Sequence, residues 1–154
     1  MNTDDVTFHR RSFDELSPHE LYALLRLRAE VFVVEQASAY LDPDGRDAEP
    51  DAEHLWFTDA EGAVVAALRI LVDPGATRRI GRVVTRAESR GRGLAARLMA
   101  EALRGWTGHA VLNAQAHLEG WYATFGFERD GPDYDEDGIP HVPMRRHHLG
   151  TVPS

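Results

Sequence analysis

Residues 80–95 of the chain, IGRVVTRAESRGRGLA, join a strand to a helix. Residues 80–85 are mostly β-branched or apolar, which is typical of a strand, and residues 87–89 break that run. After the two glycines, apolar residues recur at helical spacing, at Leu94, Ala95, Leu98, Met99, Ala102 and Leu103. The stretch therefore predicts a strand over 80–85, a polar turn, and a helix over 91–106.

The glycines at the predicted helix start favour an anion site. Gly91 and Gly93 have no Cβ, so a ligand can approach the backbone, and the first N–H groups of a helix have no intrahelical partner. The helix dipole adds roughly 0.3–1 kcal/mol per exposed negative charge. Arg90, Arg92 and Arg97 bring positive charge. The simpler interpretation is a loop whose arginines aid solubility, and neither a P-loop nor a Rossmann pattern is present.

Length and composition indicate one globular domain. With 154 residues, 43% hydrophobic and 27% charged, the chain predicts a single domain over residues 1–149 and a short polar tail over 150–154. No apolar run approaches the ~20 residues of a membrane span, and the acidic N-terminus lacks the apolar segment of a signal peptide. We expect a cytoplasmic protein with no membrane partner.

The charged and sulfur-containing residues exclude several classes of site. The sequence has no cysteine, which excludes disulfides, thiol nucleophiles and cysteine zinc sites. A formal net charge of −8 argues against nucleic acid as the main partner. The cations are all arginines, and seven fall within residues 78–97: Arg78, Arg79, Arg82, Arg86, Arg90, Arg92 and Arg97. This local cluster fits a small anion better than a long polyanion.

The N-terminal third predicts an edge strand, a helix and an acidic loop. Residues 6–13 alternate like a strand, and Ser17-Pro18-His19-Glu20 has the capping-box pattern of a helix start. Residues 29–36 contain four consecutive β-branched or aromatic residues, 31–34, which weaken helix propensity, so we expect a kinked or separate helix held by tertiary packing. The acidic, turn-rich residues 37–53 predict a surface loop. We reject a calcium site there because Gly45 comes too early for an EF-hand loop.

The remaining patterns complete an α/β fold. Strands are predicted over 54–58 and 64–72, joined as a hairpin, and over 110–114, parallel to 80–85 because a helix separates the two. A helix over 118–125, a strand starting at 127, an acidic loop over 130–140 and a last strand over 139–146 follow. The result is a mixed sheet with helices on both faces.

The motif Arg90-x-x-Gly93-x-Ala95, placed after Val83-Val84-Thr85, resembles the acetyl-CoA motif of the GNAT superfamily of N-acetyltransferases. Further blocks make the chain similar to the ElaA-like acetyltransferases. They are residues 31–36 with 40–47, residues 80–83, residues 114–118 with 122–127, and residues 136–141. One departure is Ser38-Ala39, where the ElaA-like pattern has Cys-Pro, so a thiol role at that site is excluded here.

The resemblance implies the GNAT fold, a twisted, mostly antiparallel sheet whose central parallel strand pair splays apart for CoA. Acetyl-CoA would be the co-substrate, without a metal, and would donate its acetyl group to a primary amine of a small molecule or peptide by direct attack. The resemblance places the pantetheine arm on backbone groups and the pyrophosphate on the loop and helix start. The implied cofactor-binding residues are Val83, Val84, Thr85, Arg90, Gly91, Arg92, Gly93, Leu94 and Ala95.

The chemistry of acyl transfer to an amine requires a base and a donor. A lysine-like amine with a pKa of ~10.4 costs roughly 4.6 kcal/mol to deprotonate at pH 7. His141 and His117 are the first candidate bases, and Glu35 and Glu136 are the second. Tyr122 matches the tyrosine that many GNAT enzymes place near the CoA sulfur, where it would donate to the departing thiolate. The simpler interpretations are a half-buried aromatic residue for Tyr122 and surface or core histidines.

Four polar residues are expected at the acceptor site: Glu35, Arg82, Gln115 and Glu136. The acidic residues 133–137 would favour a cationic acceptor if they rim the cleft, and would otherwise be a solvated turn. Which amine is acetylated, which acyl chain is preferred and which residue is the base are left open, as is the oligomeric state, a homodimer included.

Three other interpretations compete with an enzyme of this kind. The chain could be a binding module of the same fold that senses acyl-CoA without turning it over. An RNA-binding role of the RGG type is disfavoured by the net charge and by the lack of repeated RGG with aromatic residues. A histidine metal enzyme is disfavoured because His117 and His141 lack an HExxH-type spacing.

Overall fold

A computed structural model describes residues 5–147 of the chain, which form one mixed sheet flanked by helices. The strands are β1 (Thr7–Ser12), β2 (Glu53–Thr58), β3 (Val64–Asp73), β4 (Thr77–Thr85), β5 (Ala110–Gln115), β6 (Glu128–Arg129), β7 (Tyr134–Glu136) and β8 (Ile139–Arg146). The α-helices are α1 (Pro18–Arg28), α2 (Leu94–Leu103) and α3 (Glu119–Ala123). The strand order is β1-β2-β3-β4-β5-β8-β6, and β7 pairs with β8.

Helix α1 begins where the sequence predicts. The backbone N–H of Glu20 donates to Ser17 Oγ at 3.0 Å, and the Glu20 carboxylate accepts from the Ser17 N–H at 2.8 Å. After α1 the chain continues as a π-helix over Ala29–Glu35, in which the Gln36 N–H bonds the carbonyl of Val31 at 3.0 Å. The predicted second segment is therefore confirmed, in the form of the wider helix that often marks functional sites.

Helices pack on both faces of the sheet, as predicted. Helix α2 buries Leu94, Leu98, Met99 and Ala102 against one face, in a core that includes alternate residues of β2 and β3. Helix α1 covers the other face, where Leu24 and Leu27 pack with Trp56. Successive side chains of a strand point to opposite faces of the sheet. β2 and β3 contribute apolar residues to both cores, so both of their faces are apolar.

The central strands β4 and β5 are parallel, as predicted, but pair only at one end. Arg78 pairs with Ala110 and Arg79 pairs with Val111. Beyond these pairs β4 runs on to Thr85 and β5 to Gln115. The remaining strand pairs in the sheet are antiparallel. The two central strands thus diverge and leave an opening between their carboxyl ends.

Several predicted boundaries are wrong. Helix α2 covers 94–103 rather than 91–106, because Gly91 and Gly93 have φ of +81° and +73° and lie before the helix. Strand β4 begins at Thr77 rather than at residue 80. The expected helix over 118–125 is a 3₁₀ turn over 116–118 followed by α3.

The predicted acidic loop over 130–140 contains strand β7, because its residues pair with β8 from Tyr134–His141 to Glu136–Ile139. The tail predicted from residue 150 lies outside the described residues. Between residues 5 and 147, none of the helices is long and apolar enough to cross a membrane.

Candidate active site

The opening between β4 and β5 leads into a cavity of about 620 Å³, here called the donor cavity. Its walls come from the π-helix, the end of β4, the loop before α2, the start of α2, and the segment from β5 to α3. The lining residues are Val31, Phe32, Glu35, Gln36, Val83, Val84, Thr85, Arg90, Gly91, Gly93, Leu94, Ala95, Ala96, Gln115, His117, Leu118, Trp121 and Tyr122. Eight of the nine predicted cofactor residues lie on this wall.

The start of α2 has the properties of an anion site. Gly93 is the N-cap residue and provides no side-chain cap, and the first turn carries no acidic residue. The first bond inside the helix runs from the Arg97 N–H to the Gly93 carbonyl. The amides of residues 94–96 therefore precede the helical hydrogen-bond ladder. A Cβ added at Gly91 or Gly93 would meet no protein atom within 4 Å, so the backbone is open to a phosphate.

The arginines predicted beside this site divide into two groups. Arg90 lines the donor cavity, and its guanidinium donates to both carboxylate oxygens of Glu35, at 2.6 and 2.7 Å. The same bond lowers the pKa of the Glu35 carboxyl. Arg92 is absent from the wall, and the guanidinium of Arg97 stacks over the ring of Phe57 at 4.6 Å. Arg90 is thus the arginine of this loop that faces the donor cavity.

A second cavity of about 800 Å³, here called the acceptor cavity, opens beside the first. It lies between residues 38–46, strands β3 to β5, and the hairpin of β7 and β8. Its charged lining residues are Asp44, Arg46, Arg69, Asp73, Arg79, Arg82, Glu136, Asp137 and His141. Asp44 and Asp73 are each paired with arginines, whereas Glu136 lies 3.4 Å from His141 Nε2. The acidic tip of the hairpin therefore rims this cavity.

Residues 37–53 are held by buried ion pairs, so the prediction of a surface loop is wrong for part of this segment. Asp42 and Asp47 are 4% and 6% exposed. Arg28, at the end of α1, donates to Asp42 Oδ2 at 2.7 Å and to Asp47 Oδ1 at 2.7 Å. Arg69, from β3, donates to Asp44 and Asp47 at 2.7–3.0 Å. Asp42 and Asp47 can remain buried because each of these carboxylates is paired with an arginine.

A signal for this network exists in the sequence. Arg69 interrupts the apolar strand β3 and is 4% exposed, and an arginine at such a position must find carboxylates. The same loop brings Tyr40 to the acceptor cavity, where its hydroxyl donates to Asp42 Oδ1 at 3.0 Å. Burial, followed by the charge of Asp42, raises the pKa of Tyr40 to about 12.

The two cavities meet at the divergence of β4 and β5. Six residues line both: Phe32, Gln36, Val83, Gln115, Leu118 and Tyr122. Gln115 donates from Nε2 to Gln36 Oε1 at 3.2 Å and so links β5 to the π-helix. Tyr122 is 7% exposed, and burial raises its pKa to about 12. Sequence analysis predicts three residues of this junction at the site, Val83, Gln115 and Tyr122. It does not predict Phe32, Gln36 or Leu118, nor Tyr40 of the acceptor cavity.

The two candidate histidines lie in different cavities. His141 is 8% exposed in the acceptor cavity, with Nδ1 2.8 Å from the carbonyl of Ile139. A carbonyl can only accept, so Nδ1 carries the proton and neutral His141 has its lone pair on Nε2. His117 is exposed on the wall of the donor cavity. Of the two histidines, only His141 therefore lines the acceptor cavity.

The residues described in the structure, 5–147, include no group of three or more histidine, aspartate and glutamate side chains placed to hold a metal ion.

Comparison with known proteins identifies relatives along nearly the whole chain. The acetyltransferase (GNAT) domain family matches residues 15–148. A UPF0039 protein of Mycobacterium tuberculosis is 42% identical over 142 residues, which cover 90% of this chain and 91% of the relative. Protein ElaA of Escherichia coli is 43% identical over 144 residues, covering 86% and 90%.

Solved structures show the same fold. An acyl-CoA N-acyltransferase from Pseudomonas aeruginosa superposes with a TM-score of 0.85 and 42% identity, covering 92% of this chain and 99% of that one. The crystal structure of Escherichia coli ElaA gives a TM-score of 0.85 with 37% identity and the same coverage.

Proposed function

Since this chain belongs to the GNAT acetyltransferase family and has the fold of an acyl-CoA N-acyltransferase, we propose that it transfers an acetyl group from acetyl-CoA to the nitrogen of a primary amine. The observation that carries the proposal is the meeting of two cavities at Val83, Gln115 and Tyr122. Direct transfer between two substrates requires their reacting atoms to be adjacent. At this junction, a thioester in the donor cavity and an amine in the acceptor cavity would be in contact.

The donor cavity would hold acetyl-CoA by backbone groups. The edge of β4 that faces β5 offers peptide groups at Val83–Thr85 to the amides of the pantetheine arm, and of these the Thr85 carbonyl already accepts from Arg90 Nε at 3.2 Å. The amides at the start of α2 offer donors to the pyrophosphate. The thioester would then lie at the junction, with its acetyl group toward the acceptor cavity.

On the acceptor side, His141 is the proposed base. Its protonated Nδ1 is bound to the Ile139 carbonyl, so Nε2 is free to take a proton from the amine. Glu136 Oε2, 3.4 Å from Nε2, would stabilise the imidazolium that forms. The neutral amine nitrogen then attacks the carbonyl carbon, which forms the C–N bond of the amide. Because His141 already carries the first proton, the second proton of the nitrogen leaves to the solvent.

Tyr122 is the proposed donor to the leaving group. When the C–S bond breaks, the sulfur leaves with the electron pair as a thiolate. A phenol with a pKa of about 12 stays protonated at neutral pH. Full proton transfer to a thiolate whose conjugate acid has a pKa near ~8.5 is uphill. Tyr122 would therefore stabilise the thiolate by a hydrogen bond, and the thiolate takes its proton from the solvent.

The acceptor is proposed to be a small molecule or peptide with a cationic primary amine. Glu136 and Asp137 rim the acceptor cavity beside His141, and a positive amine gains from these carboxylates before it is deprotonated. An uncharged acceptor could gain hydrogen bonds from them but not this charge–charge attraction.

Thiol release tests the proposal against the sensor interpretation. The protein is incubated with acetyl-CoA and a panel of primary amines of different charge, and free CoA and the acetylated amine are measured. We expect CoA release that depends on the amine and is fastest for a cationic one. Tight CoA binding with no amine-dependent release across the panel would support the sensor instead.

A further inference from the structure

Arg82 has an unusual backbone conformation in the middle of β4. Its φ is +52°, whereas the other non-glycine residues of positive φ between residues 5 and 147, Ala37, Ala76 and Asp137, lie in turns. A side chain with a Cβ rarely adopts this conformation, and least often inside a strand.

The conformation belongs to a β-bulge. The pairing of β3 with β4 shifts between Ala67–Val84 and Arg69–Gly81, so Arg82 and Val83 together lie opposite Leu68. A bulge leaves one residue unpaired and turns the strand locally. Val83, the second residue of the bulge, is one of the residues that line both cavities. The distorted backbone therefore lies where acetyl-CoA and the acceptor would meet.

The side chain of Arg82 is fixed by the buried ion pairs. Its Nη2 donates to the carbonyl of Asp42 at 2.9 Å, and its Nε lies 2.8 Å from Asp42 Oδ1. Asp42 is in turn held by Arg28 and Tyr40. Arg82 Nη2 also reaches Asp44 Oδ2 at 3.4 Å. The guanidinium is thus bound to the protein on several sides.

We infer that Arg82 and Asp42 are positioning residues, which hold the bulge of β4 so that the backbone at Val83 orients the thioester for attack. This inference rests on the proposed function and assigns Arg82 a role different from direct contact with the acceptor. The contacts with Asp42 keep Arg82 in a conformation that an arginine at this position would otherwise leave. The buried aspartate acts through Arg82 and does not touch a substrate.

Glycine and alanine at position 82 distinguish positioning from binding. Both substitutions remove the guanidinium, but glycine adopts a positive φ without strain, whereas alanine does not. If Arg82 positions the bulge, Arg82→Ala lowers kcat by about 10- to 100-fold, because small displacements of reacting groups have effects of this size. Arg82→Gly then retains a kcat at least about fivefold above that of Arg82→Ala. If Arg82 binds the acceptor directly, the two variants are equally impaired and the KM for the amine rises in both.

The experiment measures kcat and the KM values for acetyl-CoA and amine in the wild type and the two variants. Arg79→Ala removes a wall arginine of the acceptor cavity, together with its ion pair to Asp73, from the regular part of β4, and is the comparison for loss of a paired arginine outside the bulge. Equal kcat values for the glycine and alanine variants would overturn the inference. If the wild type itself releases no CoA with any amine, the proposed function fails first, and the two failures are therefore separable.

Discussion

The carboxylate of Glu35 and the guanidinium of Arg90 form a two-point salt bridge across the donor cavity, with N–O distances of 2.6 and 2.7 Å. Glu35 lies in the π-helix and Arg90 in the loop before α2, 55 residues later, and both line the cavity. The bridge therefore joins two walls that acetyl-CoA would contact. It also neutralises the arginine of the GNAT-like motif that faces this cavity.

Glu35→Gln should tighten CoA binding. The substitution removes a negative charge from the cavity and leaves Arg90 free to interact with a phosphate, so we expect a roughly two- to fivefold lower Kd, the range of exposed ion pairs. The gain should shrink at high salt because the groups are exposed. Titration calorimetry of CoA binding at two salt concentrations measures this change in Kd.

Glu101→Gln is the matched control for Glu35→Gln. It removes the same charge from an exposed pair with Arg104 at the far end of α2. The role assigned to the bridge would be contradicted if the Kd for CoA rose in Glu35→Gln, or if it fell by the same factor in Glu101→Gln.

Gly93→Val should weaken CoA binding strongly. Gly93 has a φ of +73° and is the N-cap of α2 on the cavity wall. A valine side chain would occupy space that the pyrophosphate needs and would disfavour this backbone conformation. Losing hydrogen bonds to a charged group costs about 1.5–3 kcal/mol, or roughly 10- to 100-fold in Kd.

Gly62→Val separates backbone strain from lost contacts. Gly62 has a φ of +83° in the turn between β2 and β3, and a Cβ there also meets open space. This control should lower the unfolding temperature like Gly93→Val while its CoA affinity stays at the wild-type value. An unchanged CoA affinity in Gly93→Val would place the diphosphate elsewhere.

His141→Gln should change the pH profile of acetyl transfer. With its base removed, kcat at neutral pH should fall by about 10²- to 10⁴-fold, and the remaining rate should follow the deprotonation of the amine itself. The exposed His19, in the first turn of α1, provides the control substitution His19→Gln. A kcat and pH profile in His141→Gln that match those of the wild type would move the role of base to another group, such as His117.

The ion pair of Asp44 with Arg69 predicts how stability depends on pH. Hydrogen bonds from Arg69, with smaller contributions from the Arg46 amide and the charge of Arg82, hold the pKa of the Asp44 carboxyl well below its usual range. A lowered pKa in the folded state means that the stabilisation is complete above the unfolded pKa of about 3.9 and is lost as the pH falls below it.

Asp44→Asn should lose this dependence. At pH 7 the variant should be less stable by about 0.5–1 kcal/mol, because the side chain of Asp44 is 31% exposed and solvent screens the pair. Its free energy of unfolding should fall less steeply than that of the wild type below about pH 4. Urea unfolding at several pH values measures both. Asp51→Asn, at an exposed position, should keep the wild-type slope; identical slopes in all three proteins would contradict the prediction.

The sequence predicts most of the fold because local patterns determine it. The capping box at Ser17, the hairpin of β2 and β3, and the switch to helical spacing after Gly93 each specify their own element. The motif around Arg90 and the residues Gln115 and Tyr122 likewise place the donor cavity, because they lie on elements adjacent to the opened strands.

The acceptor side depends on contacts between distant residues, which local patterns do not contain. In the sequence, Asp42 and Asp47 have the pattern of exposed loop residues. Their burial depends on Arg28 and Arg69, which only the folded chain places beside them. Likewise, Arg82 shows no sign in the sequence of its positive φ, since the bulge arises from the register between β3 and β4. The short strand β7 is missed because its acidic residues have low strand propensity and form a strand by pairing with β8.

The comparison of Tyr122→Phe with the wild type tests the central claim, that the two cavities meet at a tyrosine which stabilises the leaving thiolate. CoA release is measured at saturating acetyl-CoA with the best amine of the panel. We predict that kcat falls at least about tenfold while the KM for acetyl-CoA stays nearly constant, because the hydroxyl acts only as the C–S bond breaks. An unchanged kcat in Tyr122→Phe would contradict the account.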